Sequence, residues 1–282
     1  MRLRFHPDVG DFVACAGDWY RRRPVLHTVE LSLLRAPLPG DEAPLLVTVW
    51  DTAAGGEELV GAAMQTPPLP LLCAGLAGAP MTEVVAAFAG ELALPGVRGP
   101  RDTAERFAER WCAETGAAAH TTITERLYRL AALTAPTEVP GGHRVARAAD
   151  LPVLIRFQSE FGVEAFGHAP DPRRAAESVA AAHAAGNAYL VWTADGAPVA
   201  MAGVRVPAAG VSRIGPVYTP PQLRGRGFGS AVTAAACRWA LAAGAEHVVL
   251  FADLANPTSN HVYRQLGFEA MADSASIMFR VP

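Results

Sequence analysis

The run Arg224-Gly225-Arg226-Gly227-Phe228-Gly229 lies between a β-rich segment ending at Tyr218 and a segment with helical periodicity from Gly229 to Ala243. Three closely spaced glycines at a strand-to-helix junction let the backbone turn successive N–H groups toward one point. The unpaired donors of the helix end and two arginine charges strengthen that field, so a phosphate or pyrophosphate is the natural ligand. A glycine-rich turn with solvated arginines is the plain structural alternative. No Lys-Ser/Thr pair follows, so the run is not a P-loop, and its spacing misses the dinucleotide pattern Gly-x-Gly-x-x-Gly. That spacing and the strand order disfavour an NAD-dependent oxidoreductase.

The elements around this junction set the fold class. Ahead of it stand β-rich runs at His143 to Ala146, Ala188 to Thr193, Val199 to Val206 and Ile214 to Tyr218, with Asp195-Gly196 as a hairpin signal. Asp150 is placed to cap a helix carrying Leu151, Leu154, Ile155 and Phe157, and a second helix begins near Asp171. After the junction come a buried strand at His247 to Phe251, a helix from Pro257 to Leu266 and a last strand from Ser276 to Val281. The N-terminal half follows a similar order. Helical stretches at Val9 to Arg22 and Val25 to Leu34 precede strands at Leu45 to Trp50 and Leu59 to Met64, with Gly55-Gly56 between them. A run at Leu69 to Leu72, helices at Thr82 to Leu92 and Thr103 to Glu114, a short strand at Gly96 to Gly99 and a long strand-like segment from Thr121 to Leu133 complete it. The class is α+β (mixed α/β), with two copies of one fold: residues 1–135, a linker at 136–142 rich in proline and glycine, and residues 143–282. Where the glycine junction should recur, the first half has Ala74-Gly75-Leu76-Ala77-Gly78-Ala79-Pro80, with no arginine. One active site per chain is therefore expected.

At 282 residues each half can bury its own core. A hydrophobic content of 51% with 18% charged residues suits a folded protein, and a net charge of −3 without a basic stripe argues against nucleic acid as a partner. No signal-like N-terminus and no long apolar span is present, so a cytoplasmic protein with no membrane partner is expected. Cys15, Cys73, Cys112 and Cys237 are too scattered for a zinc site; reduced thiols and no metal are the expectation.

Two segments, Val217 to Gly229 and Asn256-Pro257-Thr258-Ser259-Asn260-His261-Val262-Tyr263-Arg264-Gln265-Leu266-Gly267-Phe268, together resemble the GNAT acetyltransferase superfamily. Arg224, Gly227 and Gly229 match its Arg/Gln-x-x-Gly-x-Gly/Ala signature, and the second segment matches its Asn, Tyr and Gly-Phe pattern. The likeness covers residues 142–282 and reaches the first half only as a shared order of elements. It implies two tandem domains, each with a mostly antiparallel, splayed central sheet flanked by helices, the first degenerate. It implies acetyl-CoA as cosubstrate and transfer of its acetyl group to a primary amine by direct attack. Arg224, Gly225, Arg226, Gly227, Phe228, Gly229 and Ser230 would hold the pyrophosphate. Val217, Tyr218 and Thr219 would hold the pantetheine arm, where Pro216 interrupts a regular ladder. A backbone N–H near Val217 or Tyr218 could polarise the thioester carbonyl. Tyr263 would protonate the departing thiolate, while Asn256 would contact the cofactor arm or instead cap its helix, and Asn260 would do likewise or face solvent.

The amine must lose a proton, and no motif marks the base. Glu160, Glu164 and His168 are candidates in a loop-like stretch, Gln158 to His168, with Phe161 and Phe166 suggesting an apolar acceptor pocket. Each could equally be a solvated charge or a core residue, and Asp253 is a further candidate or a cap. The acceptor is a small-molecule amine or a protein or peptide amine, and the chain is a monomer or homodimer. A non-catalytic CoA-binding sensor or interaction module is the alternative function.

Overall fold

The computed structural model describes residues 1–35, 38, 42–52, 56–167 and 172–280. It divides into two units: Met1–Leu127 with Asp253–Ala255 and Met271–Pro282, and Tyr128–Ala252 with Asn256–Ala270. The 136–142 stretch, read from sequence as a linker, lies inside the second unit, and the end of the chain belongs to the first.

In the first unit, strand β1 (Arg2–Phe5) pairs antiparallel with β2 (Leu45–Asp51), and β2 with β3 (Glu58–Gln65). β3 meets β4 (Leu71–Leu72), which runs parallel to β5 (Gly96–Pro100). β5 then pairs antiparallel with Ser274–Met278 of strand β12 (Phe268–Arg280). Neither β1 nor the early start of β12 was expected. β1 is too short and too polar to show alternation, and Glu269-Ala270-Met271-Ala272-Asp273 lacks the β-branched and aromatic residues that mark strands. Helix α1 (Val9–Arg21) starts where the Asp8 carboxylate accepts from the Asp11 N–H at 2.9 Å. Helix α2 is confined to Thr28–Leu33, so the second expected helix is shorter at both ends. Helices α3 (Met81–Glu91) and α4 (Arg101–Thr115) bring Phe88, Phe107 and Trp111 into a stack that continues to Phe279, with centroids 6.0, 5.9 and 5.6 Å apart. The long strand β6 (Ala118–Leu130) matches the expected run, shifted a few residues toward the N-terminus. Gly55 of the expected first hairpin turn lies outside the described residues.

The second unit has β7 (Gly142–Val145), β8 (Ala188–Ala194), β9 (Ala197–Val204) and β10 (Val211–Tyr218) in an antiparallel series. The β8–β9 turn has positive φ at both Asp195 (50°) and Gly196 (78°), the tight hairpin geometry its sequence predicts. β11 (His247–Asp253) joins β10 in parallel. Alternation along the strands divides the side chains between two cores. Leu190, Ala200 and Ala202 pack with Val232, Ala236 and Ala240 of helix α7 (Phe228–Ala242). Their neighbours Val191 and Met201 pack with Leu154 and Phe157 of helix α5 (Leu151–Phe166) and Val179 of helix α6 (Pro172–Ala184). Helix α8 (Pro257–Gln265) precedes Gly267, whose φ of 93° closes the helix.

Asp150 stands at the N-cap of α5 without capping it. Its carboxylate instead accepts from the Arg147 N–H at 2.7 Å and from Arg144 Nη2 at 2.8 Å. The stretch Gln158 to Phe166, read from sequence as a loop, is helical. Gly162 is buried within α5, and Gly167 with φ of 78° ends the helix.

Candidate functional site

The β10–β11 ladder runs from Val211↔His247 to Ile214↔Leu250 and stops there. Pro216 follows, with no N–H to give, and the β9–β10 register shifts between Ile214 and Val217. Past this point Val217 and Tyr218 pair with Ala202 and Met201 on one side only. The edge facing β11 therefore offers unladdered backbone, as the family resemblance requires for the pantetheine arm.

The chain then passes through a single 3-10 turn, Pro221–Leu223, into the glycine junction. Gly225 and Gly227 take φ of 76° and 79°, which a side chain would disfavour. Gly227 is also the N-cap of α7, so no capping side chain takes up the first-turn N–H groups. Among the described residues, the N–H groups of residues 225–230 donate to no protein acceptor. Six consecutive open donors at a helix start form an anion-binding cradle. Beside it, a Cβ on Gly229 would stand 3.3 Å from Thr219 Oγ1, and that hydroxyl is buried with no hydrogen-bond partner. An orphaned polar atom next to open donors is the mark of a polar ligand's place. These residues fit a pyrophosphate-bearing ligand.

Both arginines also have protein partners. Arg224 Nη2 lies 2.7 and 2.6 Å from the two carboxylate oxygens of Glu164, and Arg224 Nε donates to the Thr219 carbonyl at 2.8 Å. Its guanidinium lies 5.8 Å from the Tyr218 ring centre, and that of Arg226 lies 4.8 Å from Phe228. Arg224 thus joins the cradle to α5, a link that sequence could not show because the partners are sixty residues apart.

Glu160 and Glu164, one helical turn apart on α5, face Tyr218 at the end of β10. Burial first, then these two carboxylates, push the Tyr218 phenol up to about 12. Glu160 Oε2 is buried with no hydrogen-bond partner, while its other oxygen is 3.6 Å from Arg156. Phe161 packs against the Phe157–Tyr218 cluster. His168 and the side chain of Phe166 lie outside the described residues. Tyr218 is the member of this group whose side-chain role sequence missed; its place at the last position of a strand was the available signal.

Tyr263 is buried in one apolar cluster with Val217 and Phe228. Tyr128 and Phe268 wall it at 6.4 and 6.0 Å between ring centres. Burial, with a smaller effect from Cys237, pushes its phenol up to about 12, and no hydrogen bond perturbs it. The hydroxyl therefore stays protonated at neutral pH. Both asparagines have protein partners. Asn256 Oδ1 caps α8 by accepting from the Ser259 N–H at 2.9 Å. Asn260 is buried, not solvated: Oδ1 accepts from the Tyr128 hydroxyl at 2.8 Å and Nδ2 donates to the Asn256 carbonyl at 2.7 Å. Asp253 Oδ1 accepts from the Ala255 N–H at 2.8 Å, a turn-capping contact. Among the described residues no group of three His, Cys, Asp or Glu side chains could hold a metal, and no helix is long and apolar enough to cross a membrane.

Solved structures similar to the chain span its whole length. A GNAT-family acetyltransferase from Colwellia psychrerythraea is 10% identical with a TM-score of 0.61, each chain covered completely. A Drosophila protein is 12% identical at 0.67, covering 99% of this chain and 98% of its own. A GCN5-related N-acetyltransferase from Kribbella flavida is 19% identical at 0.56, covering 90% and 94%. No curated protein sequence matches significantly. The acetyltransferase (GNAT) family model matches residues 152–268, the segment that contains α5, the open edge of β10, the glycine junction and Tyr263. The chain thus has the fold of these GNAT structures throughout, and its residues 152–268 match the acetyltransferase (GNAT) family model.

Proposed function

We propose that the second unit transfers the acetyl group of acetyl-CoA to a primary amine by direct attack. The observation that carries this reading is the run of open N–H donors at residues 225–230, set directly after the unladdered end of β10. Those donors take the pyrophosphate, and Val217 to Thr219 line the pantetheine arm, with Thr219 Oγ1 supplied with a partner when the cosubstrate arrives.

The acceptor approaches from α5. Glu160 is the base: its buried Oε2 accepts no well-aligned hydrogen bond and the carboxylate is beside the Tyr218 phenol, whereas both oxygens of Glu164 are held by Arg224. Glu160 takes the proton of the bound ammonium. The neutral amine then attacks the thioester carbonyl, the carbon–nitrogen bond forms and the carbon–sulfur bond breaks. Tyr263 gives its proton to the departing thiolate and recovers one from the new amide nitrogen by way of solvent. Both Tyr263 and the thiol it generates stay protonated at neutral pH, so no charged acid is needed. Glu164 has a different task. It occupies Arg224 until an anion competes for the guanidinium, so cosubstrate binding releases a carboxylate on the acceptor side.

The test is thiol release from acetyl-CoA with a broad panel of small amines and peptide N-termini. Turnover with at least one amine, lost in Glu160→Gln, is expected. Tight CoA binding without turnover of any amine would replace this reading with a sensor.

A further inference from the structure

The first unit contains a second cleft at the place that corresponds to the acceptor side of the second unit. A cavity of about 310 Å³ opens between the end of α1 and the turn after β4, with Trp19, Arg22, Arg23, His27 and Gly75 in its wall. The Trp19 indole N–H donates to the Gly75 carbonyl at 3.0 Å, which fixes the ring plane against the turn. The Arg22 guanidinium lies 5.2 Å from that ring's centre. Neither Arg22 nor Arg23 has a carboxylate partner among the described residues. The His27 ring is held by Nδ1 on the Tyr20 carbonyl at 2.9 Å, and burial favours its neutral form.

The two units differ in charge at this place. Arg22 stands as far from the start of α1 as Glu164 stands from the start of α5, and each faces the turn after the strand that leads out of its sheet. Carboxylates line the second unit's site, and Arg22, over an indole, and Arg23 line the first's. CoA does not fit the first site. A Cβ on Gly75 would stand 2.4 Å from the Ala62 carbonyl oxygen and 2.7 Å from the Tyr20 ring, so the turn is packed against the sheet. Within the turn the N–H groups of Leu76, Ala77 and Ala79 are spent on the carbonyls of Cys73, Ala74 and Leu76.

We propose that this cavity binds a small organic anion, a carboxylate or phosphate monoester attached to one flat apolar group. Arg22 and Arg23 take the anionic head in forked hydrogen bonds. Trp19 and Leu26 enclose the apolar body. The volume is at the lower end of the roughly 300–1,000 Å³ of small-molecule sites, which suits a single-ring ligand. The inference is independent of the acyl-transfer reading, because every residue it uses lies in the first unit.

Calorimetric titration of the full chain with phenylacetate, phenyl phosphate and neutral 2-phenylethanol tests it. At least one anion is expected to bind at least tenfold more tightly than the alcohol. The Arg22→Ala/Arg23→Ala double variant, checked for an unchanged thermal melt, should lose at least tenfold of that affinity, and Trp19→Leu should weaken binding of both probe types. If neither anion binds, if the alcohol binds equally well, or if the double variant keeps full affinity, the proposal is wrong. If the double variant melts early, Arg22→Gln and Arg23→Gln singly give the same reading with the side-chain stems kept.

Discussion

Replacing Glu164 with Gln tests the proposed competition for Arg224. In the free protein Arg224 is held by Glu164 through contacts of 2.7 and 2.6 Å, and both side chains are close to half exposed, at 46% and 43%. An ion pair this exposed is screened and stabilises by only about 0.2–1 kcal/mol. Removing it relieves Arg224 of a competitor, so acetyl-CoA should bind up to about fivefold more tightly to Glu164→Gln, since about 1 kcal/mol corresponds to that factor. Arg224→Ala should do the reverse, weakening binding by about tenfold or more through loss of charge-assisted contacts worth about 1.5–3 kcal/mol. With both changes together, the gain from Glu164→Gln should vanish, since the arginine it released is absent. Titration calorimetry with CoA at low salt measures all four proteins, and the gain should shrink as salt is raised. Weaker CoA binding in Glu164→Gln, or the same gain in the double variant, would refute the competition.

Four further outcomes follow from the geometry. Tyr263→Phe should lower kcat by about 10²–10⁴-fold, the usual contribution of a general acid, with little change in melting temperature because no hydrogen bond is lost; steady-state kinetics and calorimetry check both. Asn260→Ala should destabilise by about 1–3 kcal/mol, measured by denaturant unfolding, because it strands the buried Tyr128 hydroxyl. Gly267→Ala should cost more than about 2 kcal/mol by the same assay, since its Cβ would stand 1.8 Å from the Ala132 carbonyl oxygen at a φ of 93°. Arg144 holds the Asp150 carboxyl below its ordinary 3.8, so the unfolded chain binds the proton first as pH falls. That stability is present above the unfolded pKa and lost below it, and Arg144→Met should raise the pH midpoint of acid unfolding followed by circular dichroism.

Elements with strong local signals were legible in the sequence. The Asp195-Gly196 hairpin, the helix that follows Asn256-Pro257 and the glycine junction all rest on residues whose backbone preferences decide the structure within a few positions. The break after Ile214 was legible for the same reason, since Pro216 cannot donate. Long-range choices were not. Nothing near Glu164 says that it will hold Arg224, and nothing near Asn260 says that its helix face turns toward Tyr128. The helical continuation through Gly162 was hidden because burial against the sheet outweighed the roughly 1 kcal/mol that glycine costs a helix. Trp19 and Arg22 read as ordinary amphipathic-helix residues until the turn at Gly75 placed a carbonyl opposite the indole.

The pairing of Ser274–Met278 with β5 has a bearing on how the polypeptide matures. A nascent chain leaves the ribosome from its N-terminus, so β5 waits, with one edge unsatisfied, while more than half of the sequence is still to be synthesised. An open hydrogen-bonding edge is a template for pairing with another molecule. The first unit is thus the later of the two to mature, although it begins first. A stop codon shortly after residue 270 would spare every residue proposed here for acetyl transfer, and would leave the N-terminal unit without the strand that closes β5.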